Sequence, residues 1–266
     1  KTMNAVITWE LKRRRWFTLW WTIGIASLIA ITVLAYKAIG HDAAKLNSSF
    51  DSISSSAGGF FGGSDFFSPI GYLSSQIYYI LLPIMVIIMA TTLAAGLMNR
   101  DENDSTVEYT LARAMSRRRL LLAKTIVGLV VITAVCVLTY AVTVATVQFA
   151  GIHIGQWDLF ITHVLSFAFS ASFGVIAFAL MAASQLTRKV ATSVAIVLAF
   201  GGYVVSSLAG LVHWLETPAK FMPYHYYDTV GLLSGHVGRG LTVYLIGVAV
   251  IAATIAAIGY ARRDIG

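Results

Sequence analysis

Six long apolar runs divide this sequence, and none of them contains Asp, Glu, Lys or Arg. A helix needs about 20 apolar residues to cross the hydrocarbon core of a bilayer, and each run reaches that length. The pattern predicts an all-α membrane protein with six transmembrane helices in a single transmembrane domain, residues 1–266. The predicted spans are 16–36, 70–98, 125–150, 160–186, 190–212 and 241–261.

Composition agrees with a lipid environment. Hydrophobic residues make up 58% of the chain and charged residues 12%, whereas soluble domains carry about 25% charged residues. Fifteen of the 19 Lys and Arg residues lie on one side of the predicted spans; Lys37, Lys45, Lys220 and Arg239 lie on the other. Basic loops stay in the cytosol. We therefore expect both termini to be cytoplasmic in a bacterial-type plasma membrane, and we expect no nucleic-acid partner.

The residues before the first run have two interpretations. Val6, Trp9 and Trp16 recur at near-helical spacing, and residues 12–15 are all basic. This pattern is typical of an amphipathic helix that lies in the interface over residues 1–15 and then turns into the membrane, which we call the elbow. A basic anchor that only fixes topology has the same pattern, so both interpretations stay open.

The segment 213–240 precedes the last run and lies outside in this topology. It contains Pro218, Pro223, His225 and several Tyr residues, so it is too polar to span the membrane. It is also too long for a tight turn. A short re-entrant helix fits here, provided that its backbone is buried in protein or lines a wet cavity.

Motifs for catalysis and cofactor binding are absent from the sequence. There is no G-x-x-x-x-G-K-[ST] phosphate loop and no H-E-x-x-H metal pair. His163 is the only histidine within a span, and Cys136 is the only cysteine. We therefore expect no catalytic residue, no metal site and no directly bound cofactor. Spans without ionisable groups also disfavour proton coupling. If the protein transports a substrate, the energy would then enter elsewhere, and the cytosolic face is where an ATPase partner would dock.

Two segments resemble the ABC-2 family of ABC-transporter permeases. The connection 99–124 follows that family's pattern of an acidic stretch, Gly-Thr-x-Glu, Leu, Pro, Ser-Arg and Lys, although Ser105, Ala114 and Ala123 depart from it. The matching residues are Thr106, Glu108, Leu111, Ser116, Arg117 and Lys124. The segment 222–228 resembles the family's Pro-Phe-x-Tyr-Phe-Asp motif through Pro223, Tyr224, Tyr226, Tyr227 and Asp228.

The resemblance, which is to the type V exporter-like permeases, implies an assembly and a function. It implies an elbow helix, a coupling helix within 100–124, an external re-entrant element before the last span, and a complex of two permeases with two separate ATP-binding subunits. ATP and Mg would bind to those partners. The chain would export an amphipathic or hydrophobic drug, antibiotic, peptide or lipid. Contact with the ATPase would involve Ser105, Thr106, Glu108, Leu111, Arg113 and Arg117.

Two features also follow from the residues alone. Small residues in the fifth span allow close approach of a second copy or a similar subunit: Ala195, Ala199, Gly201 and Gly202. Ser105 and Glu108 form a capping box. Glu108 then either only stabilises a loop helix or also pairs with the ATPase. Two other functions remain open: a membrane-embedded enzyme such as an intramembrane protease, and a sensor or accessory subunit that does not transport.

Overall fold

A computed structural model describes residues 2–39, 66–98, 116–183 and 188–262. All secondary structure in these ranges is helical. The α-helices are α1 (Thr2–Ile39), α2 (Pro69–Tyr72), α3 (Leu82–Met98), α4 (Arg117–Phe149), α5 (Gln156–Ala183), α6 (Arg188–Leu208), α7 (Glu216–Ala219), α8 (Thr229–Leu233) and α9 (Arg239–Arg262). A π-helix, Leu73–Leu81, lies between α2 and α3, and two 3₁₀ turns, His213–Leu215 and Pro223–Tyr226, flank α7.

Six helices in the described ranges are long and apolar enough to cross a membrane, which confirms the predicted fold class. We call them the first to sixth spans: Met3–Ala38, Pro69–Met98, Arg118–Phe149, Gln156–Ala183, Lys189–Leu208 and Arg239–Tyr260. Several begin earlier than the apolar runs because a helix continues through the interface, where long basic side chains reach polar surroundings. The fifth ends at Leu208 rather than at 212, because residues 209–211 form a turn.

The first helix does not separate an elbow from the first span. α1 runs without interruption from Thr2 to Ile39, so residues 2–15 and the span form one helix rather than two elements. No Gly or Pro occurs before Gly24, and such residues are the usual causes of a sharp kink. Glu10 and Arg14 add an ion pair at i, i+4 spacing, which favours the helix across the expected bend.

The second and fourth spans form the centre of the bundle, since each is more buried than the other four. Their backbones approach closely at Gly174, where an added Cβ would lie 2.5 Å from the Cβ of Ala90. The first span packs mainly on the third, and the sixth on the fourth. Small residues at such crossings let transmembrane helices pack closely.

The 213–240 segment consists of short helical pieces joined by turns. It packs over the ends of the second, fourth, fifth and sixth spans. Four of its own side chains are buried against the bundle: Tyr224, Tyr227, Leu232 and Leu233. The segment is therefore an integral part of the bundle, at the end opposite the 99–115 connection.

Candidate functional site

An aromatic cluster fixes the 213–240 segment to the fourth span. The rings of Tyr227 and Phe169 stack at a centroid distance of 4.1 Å with planes 8° apart. Tyr224 meets Phe169 edge-on at 5.0 Å, and it also meets Tyr79 of the π-helix edge-on at 5.9 Å. Offset-stacked and edge-to-face pairs of this kind stabilise beyond the area they bury. The segment is thus held by specific ring contacts.

A proline defect in the second span explains the role of the Tyr227 hydroxyl. In a π-helix each carbonyl accepts from the N–H five residues ahead, and for Tyr78 that residue is Pro83, which has no N–H. The N–H of Leu82 bonds to Ile77 instead. The Tyr227 hydroxyl donates to the Tyr78 carbonyl at 2.8 Å and satisfies it within the buried core.

Burial keeps the Tyr227 hydroxyl in its donor form. Desolvation raises the pKa of Tyr227 well above its ordinary value, and the same cause raises the pKa of Tyr224. Ionisation of either phenol is therefore disfavoured. The Tyr227–Tyr78 hydrogen bond consequently persists at any physiological pH.

A second polar contact joins the same two elements. The hydroxyls of Ser74, in the π-helix, and Thr229, at the start of α8, are hydrogen-bonded and buried. Asp228 caps α8 by accepting a 2.9 Å bond from the Gly231 N–H, which is a typical N-cap interaction. The π-helix and the 213–240 segment are therefore joined at two points, Tyr227–Tyr78 and Thr229–Ser74, which we call the latch.

A buried histidine connects three spans below the latch. His163 of the fourth span is fully buried. Its Nδ1 lies 3.5 Å from the Tyr78 hydroxyl of the second span, and its Nε2 lies 3.2 Å from Thr139 Oγ1 of the third. Tyr140 and Phe167 pack against the ring. The central spans are thus bridged by side-chain hydrogen bonds in the half of the bundle that contains the latch.

The residues predicted for the re-entrant element are divided between core and surface. Tyr224 and Tyr227 are buried, Tyr226 and Asp228 are exposed, and Pro223 begins a 3₁₀ turn. The Tyr226 hydroxyl donates to the Lys220 carbonyl at 2.7 Å. The structure therefore brings two of the five residues into the aromatic cluster. Whether the segment re-enters a membrane stays a prediction.

A charged junction lies at the other end of the bundle. Arg14 donates through Nε to Glu10 Oε2 at 3.1 Å and through Nη2 to the Gly96 carbonyl at 2.9 Å. Both charged side chains are buried. Gly96 is two residues before the end of α3 at Met98. The junction therefore ties the first span to the second beside the exit of the 99–115 connection.

The predicted coupling residues lie mostly outside the described part of the chain. Ser105, Thr106, Glu108, Leu111 and Arg113 belong to the undescribed 99–115 connection. Arg117 begins α4, after Ser116 at the N-cap position. Lys124 is buried in the third span, at 4% exposure. The coupling assignment therefore stays a prediction.

The small residues of the fifth span face a different direction from the one that we expected. Ala195 and Ala199 are buried within the subunit. Gly202 is also buried and faces Pro223 and Tyr224. Of the four predicted residues, Gly201 alone has open space where a Cβ would lie. The small size of these three residues serves packing inside the subunit, and the contact of the fifth span with a second copy stays a prediction.

Comparison with known proteins settles the family. The family model described as ABC-2 family transporter protein matches residues 5–234. The chain belongs to the ABC-2 transporter family. The matched range includes both the 99–115 connection and all four residues of the latch. The chain is thus a multi-pass membrane component of a transporter, and this family is not itself catalytic. No curated protein and no solved structure matches it.

Sequence reasoning missed the partners of the 213–240 segment in this ABC-2 protein. Tyr79, Phe169 and Ser74 were treated only as span residues, and no π-helix was expected. Two signals were present: Pro83 lies in the middle of an apolar run, and the polar residues 74–76 lie within the same run. A proline within a transmembrane helix frees a carbonyl that some other group has to satisfy.

Proposed function

We propose that this chain is the permease subunit of an ATP-driven exporter, and that ATP is hydrolysed by separate subunits. Its cargo is an amphipathic or hydrophobic molecule such as a drug, antibiotic, peptide or lipid. The observation that carries the proposal is the family match over residues 5–234, which spans the long connection between the second and third spans. The site residues, the partners and the class of cargo are proposed by analogy with the family.

In the proposed orientation the 99–115 connection and both termini are cytoplasmic. The Lys/Arg bias supports this orientation. The 213–240 segment then covers the outer end of the bundle. Because the latch fixes this segment to the second span, movement of that span would be transmitted to the outer cover of the transport pathway.

The coupling element in this proposal is a helix beginning at Ser105 in the 99–115 connection. The charged junction of Glu10, Arg14 and Gly96 supports the assignment, because it secures the neighbouring end of the second span. A rigid attachment there would let a movement of the connection shift the first and second spans together.

A pair of permeases completes the pathway in this proposal. The fifth span presents a stripe at helical spacing through the exposed Val190, Val194 and Val197 and through Gly201, where an added Cβ would meet no atom within 4 Å. Two-fold symmetry is the commonest arrangement of homo-oligomers, and it uses the same patch on both copies. We assign the dimer contact to this stripe, which replaces the buried set containing Ala195 and Ala199.

The enzyme alternative depends on His163, since it is the only side chain within the predicted spans that could act as a base beside a hydroxyl nucleophile. Thr139 Oγ1 lies 3.2 Å from His163 Nε2, but it donates its only proton to the Val135 carbonyl at 2.7 Å. It therefore accepts a hydrogen bond from the imidazole and does not act as a nucleophile. The contact favours a structural role.

The proposal is tested on the complex purified from native membranes through a tag on this chain. Reconstituted in lipid vesicles, the complex should hydrolyse Mg-ATP and concentrate a fluorescent amphipathic dye in the inverted vesicles. The chain purified alone should do neither. A complex that binds the dye without ATP-driven accumulation would support the sensor alternative.

A further inference from the structure

One side of α1 is exposed over most of the helix. Its residues recur at spacings of three and four, which places them on the same side. The opposite side packs on the bundle, where Arg14, Ile25 and Ile29 are buried. Near the start of the first span, six exposed residues form what we call the α1 face: Lys12, Arg15, Trp16, Leu19, Trp20 and Ile23.

The chemistry of the α1 face changes between Arg15 and Leu19. Lys12 and Arg15 are exposed cations, whereas Leu19 is an exposed aliphatic residue. Trp16 and Trp20 lie at the change, and both are more than half exposed. Tryptophan is enriched where the hydrocarbon core of a membrane meets the headgroups. The α1 face therefore indicates the level of that boundary.

The spacing along α1 places both cations among the headgroups. Lys12 is four residues before Trp16, about 6 Å along the helix, and Arg15 directly precedes it. The headgroup layer is about 5–8 Å deep on each side of the hydrocarbon core. With Trp16 at the inner edge of that layer, Lys12 and Arg15 lie within it. The next 20 or so residues of the helix then cross a core of about 30 Å.

Neither cation pairs with a carboxylate within the described ranges. The only acidic residue of α1 is Glu10, which pairs with Arg14 on the buried side. Arg15 lies over the Trp16 ring, with its Cζ 5.7 Å from the ring centroid. A cation–π contact holds the guanidinium beside the ring and uses none of its hydrogen-bond donors. Lys12 and Arg15 thus present two uncompensated positive charges, about one helical turn apart.

The charge of the α1 face disfavours a contact with a second copy. Two-fold symmetry uses the same patch on both copies, so such a contact would bring Lys12 and Arg15 against a patch with the same two cations. Like charges placed together across an interface are strongly unfavourable. A leaflet that contains anionic lipids supplies the opposite charge at this level. The face therefore matches a lipid with an anionic headgroup.

We propose that Lys12, Arg15 and Trp16 bind the headgroup of an anionic phospholipid in the leaflet where α1 enters the membrane. In the proposed orientation this is the cytosolic leaflet. Lys12 and Arg15 contact the phosphate, and the Trp16 ring lies beside the glycerol. One acyl chain lies along Leu19 and Ile23. Binding at this site is independent of transport activity.

The probe is phosphatidylglycerol with a diazirine on its acyl chain, at a low mole fraction in nanodiscs of phosphatidylcholine that contain the full chain. After illumination, mass spectrometry should locate the label on residues 19–23. Phosphatidylcholine with the same diazirine measures the labelling by a lipid without net charge. We expect the first label to exceed the second about 25-fold, because each of two basic residues contributes about fivefold. Equal labelling by the two lipids would overturn the proposal.

Four substitutions at exposed positions test the parts of the site. Lys12→Gln and Arg15→Gln should each lower the ratio of the two labels about fivefold, which corresponds to about 1 kcal/mol for one basic residue near an anionic surface. Arg15→Lys should retain most of the ratio, because it keeps the charge. Trp16→Leu should lower it about threefold, the effect of losing a cation–π contact at an exposed site.

Two cations elsewhere provide the matched controls. Lys189→Gln removes an exposed charge at the same end of the bundle, in the fifth span, and Lys37→Gln removes one at the other end of α1. Both should keep the parent ratio at residues 19–23. If Lys189→Gln lowers the ratio as much as Lys12→Gln, the lipid responds to diffuse charge and the proposal fails. Residues 19–23 labelled by neither lipid would show that protein covers the α1 face, which would also overturn it.

Discussion

The hydroxyl of Tyr227 donates a 2.8 Å hydrogen bond to the backbone carbonyl of Tyr78, 149 residues away in the chain. The acceptor is a carbonyl for which Pro83 cannot supply a donor. The bond therefore joins the defect in the second span to the segment that covers the end of the bundle. Removing it leaves a buried acceptor unsatisfied, at a cost of about 1–3 kcal/mol.

Tyr227→Phe should lower the free energy of unfolding of the purified protein by about 1–3 kcal/mol and keep the ring stacked on Phe169. A lower melting temperature would report the change. Hydrogen exchange should increase in the π-helix and in α8, the two elements that the latch joins. Tyr226→Phe is the matched control, because its hydroxyl donates to Lys220 at an exposed site. Equal effects of the two substitutions would contradict the role assigned to the latch.

The buried pair of Glu10 and Arg14 gives a second prediction. Glu10→Ala removes the carboxylate that accepts from Arg14 Nε and keeps the Gly96 contact. Breaking a buried ion pair by removing one partner costs about 3–5 kcal/mol. We expect a clear drop in the melting temperature of the detergent-solubilised protein. The double variant Glu10→Ala/Arg14→Met should recover part of the loss, since it also removes the buried guanidinium that has lost this carboxylate. A double variant no more stable than Glu10→Ala would contradict this account.

The number of spans was predictable because a single physical requirement, about 20 uncharged residues per crossing, acts on each segment locally. The course of the 213–240 segment was not predictable, because it depends on contacts with residues that are distant in the sequence. Nothing in the sequence indicates that Tyr227 bonds to Tyr78 or that Thr229 bonds to Ser74. Similarly, the small size of Ala195 does not reveal whether it faces its own subunit or another.

The continuity of α1 shows the limit of pattern reasoning in another way. A basic run before an apolar run predicts an interfacial position for residues 12–15, but it does not determine whether the helix bends there. The junction with Gly96 depends on the second span and has no local signal. The π-helix did have a local signal, Pro83. A proline within a predicted span should therefore prompt a search for the group that satisfies the freed carbonyl.

Accessibility from the two sides of the membrane tests the orientation. In a background with Cys136→Ser, cysteines at Ser55 and Thr217 should react with an impermeant maleimide added to intact cells. Cysteines at Asn103 and Thr187 should react only after permeabilisation. Thr217 is exposed in α7, so burial does not explain a negative result there. Reversed labelling would invalidate the orientation drawn from the Lys/Arg bias.

The reassigned dimer stripe is tested with cysteines on opposite faces of one helix. In the same background, Gly201→Cys and Val197→Cys should form cross-links between two copies in native membranes. Ala195→Cys should form none, because Ala195 is fully buried within the subunit. Non-reducing electrophoresis measures the cross-linked dimer. Cross-linking of Ala195→Cys but not of Val197→Cys would favour the original assignment over the revised one.

The 99–115 connection gives the most direct test of coupling. The sequence places Ser105 and Glu108 at the cap and third position of a helix, where Glu and Gln both complete a capping box. Glu108→Gln should therefore keep the helix, at a cost well below the ~1 kcal/mol of a lost cap, and remove the charge available to the ATPase. We expect normal expression and assembly with reduced transport and reduced substrate-stimulated ATP hydrolysis. Glu102→Gln, which lies before the cap, is the control for loss of a negative charge and should behave like the parent.

Arg113→Glu should act more strongly than Glu108→Gln for two reasons. It introduces a negative charge near the C-terminal end of the predicted helix, where the helix dipole favours cations. It also reverses the charge presented to the ATP-binding subunit, which affects docking more than neutralisation does. ATPase activity of the reconstituted complex, normalised to the amount of bound ATP-binding subunit, separates loss of coupling from loss of assembly. If both variants assemble and transport like the parent, Glu108 only stabilises a loop helix. Coupling would then proceed through another contact at this end of the bundle, where Arg14 bonds to the Gly96 carbonyl.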